Sequence, residues 1–385
     1  MKSKLNGIYL LHILNDGFQA SLLLLLPFIA KDLQISLSAV GILGGALNVL
    51  QVVLALPAGI LAHKYGGYKM LLLSLFLYSL GFIGVGISPV YYLLLMAFIV
   101  SGLGFGIFHP IAFAEVANSS DKTIRGRVMG NFTAIGDIGR IGLSTVITFI
   151  ISYIGWRSSS LVFAVAGLVI FAVLFRIFSK NNDRIELKQK EQAKGEELKE
   201  LFKNKKFVLS TASSFLDSFA SSSLFVFLPF LLLYRNIDPK VLGAFVSAFF
   251  VGNFFGKTLL GRLTDKFGYI KVFVVSEILM AIFILILADS SYLAVIIVAS
   301  IILGCFTKGT VPVITTMVSE SVEGKNSFEK AFGLNGLITS IATVLAPVVL
   351  GFTSDKFGIV PAFAISAGFA LVATIPAIIY SKTSE

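Results

Sequence analysis

The chain is predicted to be an all-α integral membrane protein with twelve transmembrane helices in two pseudo-symmetric six-helix bundles, and three observations carry that prediction. Hydrophobic residues fill 56% of the 385 positions and charged residues 14%, with a mean hydropathy of +0.90, more apolar surface than a water-soluble fold can bury. Roughly twelve stretches reach the 20 or so mostly apolar residues that a helix needs to cross the hydrocarbon. The sequence also repeats itself at an offset of 202 residues (229 − 27): Pro27 pairs with Pro229, Gly59 with Gly261, Gly66 with Gly268, Lys69 with Lys271, Gly102 with Gly304 and Pro110 with Pro312. Long strands of alternating polarity are missing, which leaves helices to satisfy the backbone in lipid.

The first span, 5–29, follows Met1-Lys2-Ser3-Lys4, but it is long, contains His12, Asn15, Asp16 and Gln19, and lacks a convincing cleavage site, so it reads as a helix rather than a signal peptide. The second, 38–62, runs into a glycine- and lysine-rich turn, and the third occupies 69–88. The fourth, 91–116, places His109 directly before Pro110, where the helical hydrogen-bond ladder must loosen. The fifth, 124–153, carries Gly130, Gly136, Gly139 and Gly142 together with Asp137 and Arg140, and the sixth, 157–178, closes the first half. The seventh, 207–233, is rich in small hydroxyls (Ser213, Ser214, Ser218, Ser221, Ser222, Ser223) around Asp217, one position from the repeat partner of Asp16. Lys257 lies in the eighth span (240–261), Glu277 in the ninth (270–288), and Cys305 and Lys308 in the tenth (291–317). The eleventh (328–352) contains Gly333 and Gly336, and the twelfth covers 359–380. Glycines of the fourth, fifth, tenth and eleventh spans are expected to mark close helix contacts.

One segment is strongly polar. From Lys180 to Lys206, Lys and Glu alternate around Leu187, Leu198, Leu201 and Phe202, a spacing open to an amphipathic helix on the inner membrane surface or to a solvated tether. The expected domains are therefore 1–178, a cytoplasmic linker 179–206, and 207–385.

A net charge of +10 could suggest nucleic acid, but its distribution argues for orientation in a membrane instead. With both termini cytoplasmic, Lys64, Lys69, Lys122, Arg125, Arg127, Arg262, Lys266 and Lys271 fall in short inner loops, leaving Lys31, Arg157, Arg235, Lys240 and Lys356 as the outer minority.

The loop after the second span reads Gly59-Ile60-Leu61-Ala62-His63-Lys64-Tyr65-Gly66-Gly67-Tyr68-Lys69, and its repeat reads Gly261-Arg262-Leu263-Thr264-Asp265-Lys266-Phe267-Gly268-Tyr269-Ile270-Lys271. A third relative, Gly351-Phe352-Thr353-Ser354-Asp355-Lys356-Phe357-Gly358, follows the eleventh span. In the first two loops glycines let the chain turn between closely packed helices, and basic residues hold the loop at the cytoplasmic face. This pattern resembles the loop signature of the major facilitator superfamily, with Gly59, His63, Gly66, Gly261, Asp265 and Gly268 at the signature positions and His63 where the family usually has an acid. Within the superfamily, His12 to Gln19 leading to Leu26-Pro27-Phe28, and Gly102 to Pro110, resemble the fosmidomycin-resistance-like and drug-efflux-like branch.

A charge at bilayer depth costs roughly 2.5–3.5 kcal/mol even on lenient scales, so buried ionisable groups mark function or pairing. His12, Asp16 and Gln19, at i, i+4 and i+7, form a polar stripe that must face a cavity or another helix. Asp137 and Arg140 lie one turn apart and can pair, or Arg140 can bind an anionic substrate group while Asp137 exchanges a proton. His109 has a side chain suited to proton sensing or to an interhelical hydrogen bond. Asp217, Lys257 and Lys308 are the candidates of the second half, and Glu277 ranks below them because the ninth span is usually peripheral in this superfamily.

Enzyme chemistry finds no support. The histidines, at 12, 63 and 109, form no His-x-x-x-His pair, Cys305 is alone, and no Walker loop is present, so no cofactor, metal site, disulfide or direct use of ATP is expected. The repeat is a common plan of membrane carriers, with substrate held between the halves. Together with the resemblance it implies a proton-coupled secondary transporter of the inner membrane, monomeric and embedded in lipid, exporting a small organic molecule by alternating access. Proton symport of an organic anion, and a non-transporting sensor or lipid-handling role, are the two alternatives.

Overall fold

The computed structural model describes residues 2–119, 125–178, 201–322 and 328–383. Lys122 and linker residues 179–200, including Leu187 and Leu198, lie outside the described residues, as do the side chains of Arg125 and Arg127. The described residues form helices α1 (Lys2–Leu33), α2 (Leu37–Tyr65), α3 (Gly67–Ile87), α4 (Tyr91–Asn118), α5 (Arg125–Phe178), α6 (Lys205–Ser222), α7 (Leu224–Tyr234), α8 (Leu242–Phe267), α9 (Tyr269–Asp289), α10 (Leu293–Ser321), α11 (Phe328–Phe357) and α12 (Ile359–Ser381), with no strand among them.

Eleven segments among the described residues are long and apolar enough to cross a membrane. One of them, Asn131–Ile177, has 47 residues, about 70 Å of helix at 1.5 Å per residue, which is twice the hydrocarbon thickness. It is divided at Gly155, whose φ of 74° and ψ of 167° interrupt the helix between the expected fifth and sixth spans, so twelve crossings result. The expected seventh span is broken at Ser223 into α6 and α7, where three consecutive serines offer the backbone competing hydrogen bonds.

The three related loops share one geometry. Gly66, Gly268 and Gly358 have φ of 94°, 82° and 91°, a region open to glycine because a Cβ would strain it. Each closes its helix by donating its backbone N–H in a hydrogen bond to the carbonyl four residues back, of Ala62 (2.8 Å), Thr264 (2.9 Å) and Ser354 (2.9 Å), and the next helix starts at the following residue. Beside each turn a lysine lies over its neighbouring ring: Lys64 on Tyr65, Lys266 on Phe267 and Lys356 on Phe357.

The chain separates into two compact units, one of residues 1–189 with 239–247, the other of 190–238 with 248–385. In the first, α1 packs on α5, α4 on α2 and α3, and α3 also on α5. Phe18 sits at the centre, its ring 5.1 Å from those of Tyr78 and Phe82 and 5.3 Å from Phe163. In the second, α12 packs on α6 and α9, and α9 on α10. The repeat reappears in the packing: Gly102 on α4 lies against Leu47 and Leu50 of α2, and Gly304 on α10 lies against Phe249 of α8, the position 202 residues after Leu47 (249 − 47). Gly139 likewise brings α5 onto the carbonyl of Ile13 in α1. The packing expectation does not extend to Gly142, Gly333 and Gly336, where an added Cβ would meet no atom within 4 Å.

Arg157 fastens one end of the first unit. Its guanidinium donates to the Ser88 carbonyl (2.6 Å) and to Asp32 (3.1 Å) and lies 4.2 Å from the Trp156 ring, tying the start of the sixth span to the ends of α1 and α3.

Candidate functional site

Three helices of the first unit converge on Asp16. Pro110 in α4 and the glycines of α5 let these helices meet α1 where it carries His12, Asn15 and Asp16. Gly136 is the critical small residue, since a Cβ there would run into Asp16 Oδ2 and sit 2.8 Å from His12 Nε2.

Asp16 is buried, and its two oxygens are surrounded by side-chain nitrogens. Arg140 Nη2 lies 2.7 Å from Oδ2, and Asn15 Nδ2 donates to Oδ1 at 3.1 Å. His12 Nε2 is 3.3 Å from Oδ2 and His109 Nε2 is 3.3 Å from Oδ1. The other arm of the guanidinium, Nη1, bonds Asp137 Oδ1 at 2.7 Å, so Arg140 bridges two buried carboxylates. A planar guanidinium can hold two carboxylates in fixed directions, which an ammonium cannot reproduce. The site is closed on one side and open on the other: His12, Asp16 and Asp137 are buried, whereas 30% of the His109 side chain and 26% of the Arg140 side chain remain accessible.

His12 is held from both ends. Nδ1 is 2.8 Å from the carbonyl of Phe132, a group that only accepts, and the imidazole stacks on the Phe132 ring at 4.2 Å. Nδ1 must therefore carry a hydrogen. Nε2 then meets the Asp16 carboxylate across 3.3 Å, a contact that is favourable when a further proton lies between them, on either partner. With Arg140 positive and Asp16 and Asp137 negative, one such proton brings the cluster to neutrality.

His12, Asp16 and His109 also have ligand atoms within 4.8 Å of one another, the spacing of a metal site. Arg140 already supplies a cation to the same Asp16 carboxylate, which sets it against a second positive charge.

Gln19 is half-buried further along α1, and the described contacts do not bring it to Asp16. In the second unit, Thr310 of α10 donates to Asp217 of α6 at 3.0 Å. Lys308, exposed on α10, acts on Asp217 through its charge, and Lys257 is half-buried on α8. One buried group, Asn253, went unrecognised in sequence, and a second, Glu277, was ranked low. Asn253 accepts from Thr307 at 3.0 Å, and Glu277, ranked last because its span is usually peripheral, is fully buried against Asp217. The polarity of Asn253 and Glu277 within apolar spans was the available signal. His63 and Asp265 are exposed, and Gly59 and Gly261 are half-buried.

Paired apolar units, glycine-closed loops and a polar cluster inside a helical bundle define a multi-pass membrane transporter, a class without enzymatic chemistry of its own. The family model of the Major Facilitator Superfamily matches residues 8–216 and 210–385, and the chain belongs to that superfamily. It is similar to a probable 4-methylmuconolactone transporter of Cupriavidus pinatubonensis, 26% identical over 63% of this chain and 58% of that protein, so the match spans little more than half of the relative. A multi-drug resistance efflux pump, PmrA, of Streptococcus pneumoniae is 25% identical over 88% of this chain and 87% of its own. Among solved structures, a bacterial homolog to the human lysosomal transporter Spinster superposes with a TM-score of 0.81 at 14% identity, covering 100% of this chain and 97% of that one, which shows the shared fold.

Proposed function

We propose that the protein is a proton-coupled secondary transporter that exports a small organic molecule by alternating access, with the Asp16 cluster as its proton site. The observation that carries this reading is the position of His12 between two acceptors, the Phe132 carbonyl at 2.8 Å and Asp16 at 3.3 Å, which calls for one proton beyond those of a neutral imidazole and an ionised carboxylate. His109 and Arg140 form the accessible edge through which that proton exchanges. Loss of the proton leaves the cluster with a net negative charge, which opposes closure around it; its return removes the obstacle. In this cycle 1–178 and 207–385 move against each other, both termini are cytoplasmic and a monomer in the inner membrane suffices. Efflux relatives such as PmrA support the export direction.

The test uses purified protein in proteoliposomes with ethidium and fosmidomycin as probe cargoes. Accumulation driven by an imposed proton gradient, and abolished by a protonophore, is expected; accumulation indifferent to the gradient contradicts the coupling.

Symport of an organic anion draws on one observation, the accessible guanidinium of Arg140. Relatives include a probable nitrate transporter, NarT, of Staphylococcus epidermidis, 27% identical over 70% of this chain. Both arms of Arg140 are engaged by carboxylates, so an anion would bind there only after the acids take up protons. Nitrate and 4-methylmuconolactone, supplied to the same vesicles, test it: proton-driven uptake lost in Arg140→Ala while ethidium flux persists favours this second reading.

A further inference from the structure

The second unit holds a buried carboxyl pair that the Asp16 cluster does not involve. Glu277, nine residues into α9, is fully buried at roughly mid-span, about 12 Å from the start of its helix at 1.5 Å per residue. Both of its oxygens lack a hydrogen-bond donor among the described residues, although buried polar atoms are nearly always satisfied. The group beside it is the carboxyl of Asp217, itself buried on α6.

The two acids differ in what surrounds them. Asp217 accepts the hydroxyl of Thr310 at 3.0 Å and feels the positive charge of Lys308, both from α10. Glu277 has neither. The neighbouring helices offer little else: α12 carries no charged residue, those of α11 (Glu329, Lys330, Asp355, Lys356) lie in its terminal turns, and Glu320 lies at the end of α10. On the two helices themselves, Lys205, Lys206, Lys271 and Asp289 are confined to the ends.

Two ionised carboxylates cannot share so apolar a site with a single cation, the exposed Lys308, to compensate them. We propose that Glu277 and Asp217 form a second proton-binding site, in which Glu277 carries the proton and donates it to the Asp217 carboxylate. The asymmetry assigns the roles: the acid with a hydroxyl donor and a lysine nearby is the anion, and the one with no donor is the acid. One proton satisfies an orphaned oxygen of Glu277, gives Asp217 a second donor and, with Lys308, makes the group neutral. Binding and release of that proton would join or separate α6 and α9. The site thus deepens the proton-coupled reading and rests on it for any role in transport, but the proton itself can be observed without transport.

Infrared difference spectroscopy of the full-length protein in lipid nanodiscs, titrated from acid to alkaline buffer, reads it directly. The wild type is expected to show a protonated-carboxyl band that disappears in Glu277→Gln, persists in Asp16→Asn, and shifts in frequency in Asp217→Asn, where the acceptor of the proton changes. Glutamine keeps the shape and a donor toward Asp217, and the two variants report separately, so aggregation of one leaves the other informative. A band unchanged in both Glu277→Gln and Asp217→Asn, or no band in the wild type at any pH, overturns the proposal. Because no cargo or gradient is used, that outcome is distinct from failure of gradient-driven transport.

Discussion

Arg140 Nη2 lies 2.7 Å from Asp16 Oδ2, joining α5 to α1 across the most polar point of the first unit. Its Nη1 holds Asp137 at the same distance, so one side chain bridges two buried acids. Arg140→Lys should break this bridge, because a single ammonium cannot face both carboxylates. The expected loss of stability lies between about 1 kcal/mol for an exposed pair and about 3–5 kcal/mol for a buried one, since a quarter of the arginine is accessible. Thermal unfolding in detergent, together with loss of gradient-driven flux, measures it; a variant with wild-type stability and flux would contradict the bridging role.

Gly136 and Gly333 look alike in sequence and differ in surroundings. An alanine at 136 would push into Asp16 and His12, so Gly136→Ala should cost about 1–3 kcal/mol and impair proton-dependent flux. Gly333 faces open space within its helix, and Gly333→Ala should be neutral or stabilise by up to about 1 kcal/mol. Paired melting curves test the contrast, and equal effects would argue against the geometry around Asp16.

That contrast shows what was legible in the chain and what was not. Hydropathy alone placed the spans, because each must bury its own backbone bonds in lipid, and the glycines of the loops were visible because the motif recurs at a fixed offset. The Asp137–Arg140 pair was also visible, one turn apart on one helix. His109 and Arg140 meeting Asp16 was not, since helices from distant parts of the chain bring them together and spacing within one helix carries no record of it. Glu277 was ranked low because the ninth span is usually peripheral in this superfamily; its burial beside Asp217 of another helix is a matter of packing that spacing does not record.

The positive φ of Gly268 predicts a backbone penalty. Gly268→Ala should destabilise by about 1–3 kcal/mol although no neighbouring atom would touch the new methyl, because the strain is in the backbone itself. Gly261→Ala, with equally open surroundings and helical backbone, is the control and should change stability by less than about 1 kcal/mol. Unfolding monitored by tryptophan-independent dye binding separates the two; matching midpoints would refute the turn argument.

The most direct measurement compares two fluxes in proteoliposomes bearing Asp16→Asn: exchange of ethidium at equal pH on both sides, and its accumulation against a gradient driven by protons. An amide keeps the shape of Asp16 but cannot exchange a proton, so exchange should persist while gradient-driven accumulation is lost. Accumulation at the wild-type level in this variant would contradict the account.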